Sequence, residues 1–180
     1  MEKKGQTYSK MNAINWPKEF LPGKTDNFTS NEKIIKGLTS KEIFLFLEDT
    51  SLWSQYNKNI VDIKMVNQKT TKLNGLSQFH YNILGISLEA SIIEYIPPEK
   101  NIEGRISWFA SNNNKDNKIE FIHCWLVENL DGGRVRILTQ ESQKGQLAIN
   151  FAQSHPNIIV NFNQDWIDSI EKMAFQFKKK

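Results

Sequence analysis

Three side chains in the stretch HCWLVENLDGGRVRILTQES, residues 123–142, could do chemistry: His123, Cys124 and Glu141. An imidazole beside a thiol suggests a nucleophile with its base, or two ligands for one metal. Strand geometry separates that pair, because successive side chains on a strand point to opposite faces. Cys124 also has no basic neighbour in sequence to lower its pKa, so it reads as a small buried hydrophobe. His123 instead shares a face with Phe121, Trp125 and Val127. If Asp131-Gly132-Gly133 forms a three-residue loop with a glycine in the left-handed region, His123 opposes Glu141, Trp125 opposes Thr139 and Val127 opposes Ile137. A two-residue loop would instead put His123 near Gln140 and match the aromatic face to Arg136 and Arg134. The first register is preferred, since it sets apolar face on apolar face and turns the arginines outward. A histidine opposite a glutamate on the inward face can be a catalytic acid–base pair, the carboxylate orienting the ring and raising its basicity. The same pair can equally orient a ligand, or serve only as a buried hydrogen-bonded contact.

Holding these residues in place requires a sheet, and residues 60–142 carry its period-two pattern. The runs break at Asn74-Gly75, Gly85, Pro97-Pro98, residues 111–117 and Asp131-Gly132-Gly133, which implies an antiparallel meander. Upstream, FTSNEKIIKGL reads as a first strand. TSKEIFLFLED then reads as a helix capped by Ser40, with Ile43, Phe44, Phe46 and Leu47 toward the core. A second helical turn runs through Leu52, Trp53 and Tyr56. After a connection containing Gln and Gly, Pro156 opens a helix that runs to about Phe177. Its stripe of Ile159, Phe162, Trp166, Ile170, Met173 and Phe177 opposes Asp165, Asp168, Glu171 and Lys172, and at ~1.5 Å per residue it is about 32 Å long. Asn163 lies within that apolar stripe and needs a partner.

The expected fold is α+β, a curved antiparallel sheet of about seven strands around a long C-terminal helix, with two short helices after the first strand. Residues 1–27 read as an extended arm around Trp16, Pro17, Phe20, Leu21, Pro22 and Gly23, and residues 28–180 as the domain. Curvature leaves space between sheet and helix for a pocket. Trp53, Phe79, Tyr81, Trp108, Trp125, Phe162 and Trp166 are candidate lining residues, with Asn163 as a polar ligand contact, although aromatics at this spacing also build cores.

Composition narrows the function classes. A chain of 180 residues with 39% hydrophobic and 24% charged residues suits one domain. One cysteine makes no internal disulfide, and MEKKGQTYSK lacks the apolar run of a signal peptide, so a cytoplasmic protein is expected. No apolar stretch approaches the ~20 residues of a membrane span. The net charge of +3 is interspersed, and Lys178, Lys179 and Lys180 form a solvated tail, so no nucleic-acid partner is expected. There is no phosphate-binding glycine loop, paired histidine motif, two-cysteine zinc knuckle or nucleophile elbow, so neither cofactor nor metal is expected. Ser30-Asn31-Glu32-Lys33 fits a Ser-x-x-Lys pattern without its companion motifs. His80 alternates with Phe79 and Tyr81 and reads as solvent-facing; His155, before Pro156, reads as a helix-cap neighbour. Arg105 reads as a partner of Glu94 across the Pro97-Pro98 hairpin.

The order of TSKEIFLFLEDTSLWSQY, GLSQFHYNILG, YIPPEKNIEGRISW, HCWLVENLDGGRVRILTQES and DWIDSIEKMAF resembles the START/Bet v 1-like superfamily, the SRPBCC or polyketide cyclase/dehydrase-like proteins, over residues 28–177. The lead-in INWPKEFLPGKTDNFTSNE resembles that of a bacterial branch. The resemblance implies a helix-grip fold and a range of functions: carriers of lipids, sterols and plant metabolites, aromatases and cyclases, quinone-binding proteins and co-chaperone domains. The first expectation is binding or transport of a small hydrophobic or aromatic molecule, lipid, polyketide or quinone-like, between sheet and last helix. The alternatives are a cofactor-independent cyclase or dehydratase using His123 and Glu141, with Asn163 orienting the substrate, and a module that docks a protein partner.

Overall fold

The computed structural model describes residues 11–179. The period-two stretch folds as Ile60–Met65 (β2), Gln78–Ile83 (β3), Ile86–Ile96 (β4), Gly104–Ser111 (β5), Glu120–Leu130 (β6) and Arg134–Lys144 (β7). With Asn27–Lys36 (β1) they make one curved, seven-stranded antiparallel sheet in the order β1-β7-β6-β5-β4-β3-β2. Helices Ser40–Glu48 (α1) and Thr50–Tyr56 (α2) follow β1, while Gln146–Ser154 (α3) and Ile158–Lys178 (α4) follow β7. This is the helix-grip arrangement, with α4 as the long helix laid on the sheet. No helix among the described residues is long and apolar enough to cross a membrane.

Two local readings are corrected. The cap of α1 is Thr39, not Ser40: its Oγ1 accepts from the Glu42 amide at 3.3 Å, and Glu42 Oε2 accepts from the Thr39 amide at 2.7 Å. That reciprocal box satisfies two end donors, which leaves Ser40 to donate its own amide to Asn129 Oδ1 at 2.8 Å. The segment read as a connection before Pro156 is helix α3, which buries only Ala148 and Phe151. Pro156 follows its C-cap, His155, which is held at φ −140°, and α4 begins after Asn157.

The register at Asp131-Gly132-Gly133 is the three-residue one. Gly132 and Gly133 have φ of 76° and 67°, and His123 faces Glu141, Trp125 faces Thr139 and Val127 faces Ile137. Odd-numbered β6 residues therefore face α4, and even-numbered ones face outward.

Residues 11–26 run along the outward face, where Phe20 packs with Ile122 and Cys124, flanked by Ile14, Trp16 and Phe109. Arg136 turns outward as read, and is held there by Glu128 at 2.6 Å, Glu32 at 2.7 Å and the Asn12 carbonyl at 2.9 Å. Arg105 pairs with Glu103 at 2.9 Å and the Ala13 carbonyl at 2.9 Å rather than with Glu94, whose oxygens accept from Asn15 and Ser107. Residues 1–10 of the arm and Lys180 of the basic tail lie outside the described residues.

Lys33, of the Ser-x-x-Lys pattern, ties β1 to α4 through Asp168 at 2.7 Å and Glu171 at 2.5 Å. His80 is exposed on the outward side of β3.

Candidate functional site

One row of residues crosses the inward face of the sheet. Thr29 on β1 faces Glu141 on β7, which faces His123 on β6, which faces Trp108 on β5. Period-two alternation puts Thr139 and Gln143 beside Glu141 on the same face.

His123 is enclosed by indoles. Its ring centre lies 4.9 Å from Trp108, 5.2 Å from Trp125 in a stacked arrangement, and 5.5 Å from Trp166. Thr139 Oγ1 donates to the Cys124 carbonyl at 3.1 Å, so its one hydrogen is spent. The 2.8 Å contact between that oxygen and His123 Nε2 must then carry the proton of Nε2. In the neutral ring, Nδ1 is left as a bare acceptor 3.3 Å from Glu141 Oε2.

Burial acts on both groups in the direction that removes charge. It lowers the His123 pKa to about 3 and raises that of Glu141 to about 7, the latter opposed in part by the hydrogen bond from Gln143. Below about pH 7 the pair is therefore a neutral imidazole accepting from a protonated carboxyl, rather than an ion pair. The other Glu141 oxygen, Oε1, accepts from Gln143 Nε2, and Gln143 Oε1 accepts from Asn27 Nδ2 at 2.7 Å. The carboxyl sits in the middle of a relay running from the imidazole through Gln143 to Asn27.

Beside that carboxyl is a small apolar cavity of about 20 Å³, room for one water-sized group. Its walls come from the β3–β4 hairpin, from Ile119 and Phe121, from Phe151 on α3, and from Ile159 and Phe162 on α4, while Glu141 and Gln143 supply its polar corner. His123 stands behind Glu141 and does not border the cavity.

The structure brings His123 and Glu141 together as the register required. Of the aromatics named from sequence, Phe162 borders the cavity. Trp53, Phe79, Tyr81, Trp108, Trp125 and Trp166 are buried and pack ring on ring, with Trp53 5.5 Å from Trp108 and 5.4 Å from Trp166, and they fill the interior next to it. Asn163 is fully buried, and its side chain makes a long 3.4 Å hydrogen bond from Nδ2 to Thr29 Oγ1, while its Oδ1 has no partner among the described residues. Sequence reasoning did not single out Gln143, although its spacing of two from Glu141 was the available signal. Phe151 went unnoticed along with its helix. Among the described residues no group of three or more His, Cys, Asp or Glu side chains could hold a metal.

No protein-family model matches the chain, and no curated protein does. Among solved structures, hypothetical protein jhp0584 from Helicobacter pylori matches with a TM-score of 0.87 at 42% identity, over 93% of this chain and 99% of that one. The di-domain ARO/CYC protein StfQ of the steffimycin biosynthetic pathway matches with a TM-score of 0.61 at 8% identity, over 86% of this chain and 54% of that one. A START superfamily protein from Mycobacterium smegmatis matches with a TM-score of 0.50 at 13% identity, over 84% and 95% of the two chains. The last two share the fold.

Proposed function

We propose that the chain, which belongs to one family with the Helicobacter pylori protein and shares the fold of START/Bet v 1-like proteins, binds a small hydrophobic molecule between its sheet and α4. The observation that carries this reading is the apolar cavity at that place with a single polar corner, Glu141 and Gln143, an arrangement suited to holding a carbon skeleton and orienting one head group. At about 20 Å³ the cavity takes a ligand only when its wall moves. The wall best placed to move is α3, which buries two of its residues and is joined by Gly145 on one side and His155-Pro156 on the other. The tryptophan cluster stays packed in this reading, so the ligand is a single ring or a short chain rather than a fused polycycle. The single unbridged cysteine supports a cytoplasmic location.

Native mass spectrometry of the purified chain, followed by organic extraction, tests the proposal. A discrete added mass that is lost on unfolding is expected. A bare protein mass that stays bare after incubation with short-chain and single-ring compounds would remove it.

A second reading, a cyclase or dehydratase, is favoured by one observation: the Glu141 carboxyl reaches the cavity wall with its proton retained to about pH 7, where it can serve as a general acid or base. In that reading His123 acts through Glu141. The partner-docking reading has less to stand on, because Ile14, Trp16 and Phe20 of the arm are already seated on the chain's own sheet.

A further inference from the structure

Resting on the reading that a small molecule binds beside α4, we infer that the site continues past α3 into a neutral, amide-lined groove. Its ligand is then an uncharged amphiphile, with a short hydrocarbon end in the cavity and a hydroxyl-bearing end in the groove. The groove holds about 570 Å³ between the β3–β4 hairpin, the β5–β6 loop and the start of α3. Ile86 borders both spaces. On the other side α3 gives Leu147 to the groove and Phe151 to the cavity, and residues four apart lie on one face of a helix. Ile86 and α3 are therefore the partition. The movement of α3 that admits a ligand to the cavity also joins the cavity to the groove.

The chemistry of the lining sets the ligand class. Asn112, Asn113, Asn114, Asn117 and Ser87 surround the half-buried Ile86 and Leu147, and no residue bordering the groove is ionisable. Lys115, Asp116 and Lys118 belong to the same loop but do not border it. Part of the amide capacity holds the loop together: Asn114 Oδ1 accepts from the Asp116 and Asn117 amides at 3.0 Å each, and Asn112 Nδ2 donates to the Asn117 carbonyl at 2.9 Å. Asn113 Nδ2 donates to Glu89 Oε1 at 2.8 Å, which leaves its Oδ1. The Asn117 side chain makes no hydrogen bond among the described residues, since only its backbone serves the loop. A side-chain amide offers two donors and an acceptor, and hydroxyls answer either sense. A charged head group finds no counter-ion in this lining. The carbon faces of a sugar or polyol, in contrast, can rest on Ile86 and Leu147.

Titration of methyl-labelled full-length protein with 1-hexanol, hexyl glucoside and sodium hexyl sulfate varies the head group on one hydrocarbon chain. The methyl resonances of Ile83, Leu88 and Ile119 report the cavity, and those of Leu147 report the groove. Hexyl glucoside is expected to shift both sets saturably and to bind about tenfold more tightly than either other compound, the worth of one or two hydrogen bonds. Its sugar protons should show nuclear Overhauser contacts to the Leu147 methyls. Asn117→Ala, which leaves the loop's own hydrogen bonds in place, should reduce the glucoside's advantage at least about threefold and leave hexanol binding unchanged. Glucoside binding no tighter than hexanol, hexyl sulfate binding as tightly as the glucoside, or a bound sugar without contact to Leu147 would each overturn the inference and leave the binding proposal standing. No shift with any of the three compounds would overturn the binding proposal, and the inference with it.

Discussion

His123 Nδ1 lies 3.3 Å from Glu141 Oε2 while His123 Nε2 is committed to Thr139, so a single proton serves the imidazole and the carboxyl together. The pKa of Glu141 rises from its ordinary 4.5 to about 7, and that of His123 falls from 6.5 to about 3. From pH 4.5 to 6.5 the folded pair holds one proton on Glu141 and the unfolded chain holds one on His123, so proton counts match and the pair gives stability no slope. Above that window the folded state keeps a proton the unfolded state has lost, and stability falls until about pH 7. Below it the unfolded chain takes up two protons, and stability falls toward pH 3.

Glu141→Gln copies the protonated acid: its amide nitrogen donates to Nδ1 and its oxygen accepts from Gln143. The variant lacks the Glu141 titration only. Relative to the natural chain it should gain roughly 1.4 kcal/mol per pH unit between pH 4.5 and 7, for a total on the order of 3 kcal/mol at pH 8. Urea unfolding of both proteins at pH 5 and pH 8 reads this directly. A stability difference that stays constant with pH would mean that the two groups are not a neutral pair.

Two tryptophans in the same cluster should respond differently to loss of their N–H. Trp166 Nε1 donates to the Tyr56 hydroxyl at 3.1 Å, which in turn donates to the Phe46 carbonyl at 2.8 Å. Trp125 Nε1 is buried and has no partner among the described residues. Changing either to Phe removes similar volume, but Trp166→Phe also breaks a chain of buried hydrogen bonds, whereas Trp125→Phe removes a donor whose desolvation nothing offsets. Trp166→Phe should therefore be the more destabilising by about 1–3 kcal/mol. Equal losses in thermal unfolding would count against this accounting.

Much of this arrangement was readable in advance because it rests on period and turn chemistry. The long stripe of α4 and the alternation of β2 to β7 are strong signals, and the match of apolar face to apolar face across Asp131-Gly132-Gly133 selected the register that faces His123 with Glu141. Features that depend on packing were not readable. Helix α3 has nine residues and two buried ones, too few for a period to emerge. The size of the cavity follows from how four buried tryptophans interlock, and alternation cannot distinguish a ring that lines space from one that fills it. Asn163 shows the same limit: its place in the stripe flagged an unmet polar group, and what surrounds it came only from the fold.

The arm makes a prediction about Cys124. Its thiol is buried beneath the arm's apolar contacts, and that burial pushes its pKa up to about 12. In the native chain it should react with an aromatic disulfide reagent at pH 8 only as fast as the molecule unfolds. Phe20→Ala removes the ring that packs against it and that also touches Phe109 at 6.0 Å, so the reaction should become at least about tenfold faster while β6 stays folded. An unchanged rate would mean that Phe20 does not control access to this face.

Gly145 decides whether α3 can act as a movable wall. It sits at φ 106°, and a Cβ placed there would lie 2.4 Å from the Lys118 carbonyl oxygen, which also accepts from the Leu147 amide at 3.1 Å. That oxygen is backbone and has little room to retreat, so Gly145→Ala must push the start of α3 off the sheet, at a cost of about 1–3 kcal/mol in backbone strain alone. Because α3 buries only Ala148 and Phe151, and α4 has its own contacts through Ile159, Phe162, Trp166 and Ile170, the disturbance should stop at the His155-Pro156 break. Hydrogen exchange should then lose protection across residues 146–154 and keep it across residues 158–178. Loss of protection in both segments would make α3 and α4 one cooperative unit, and ligand entry by movement of α3 alone would have to be abandoned.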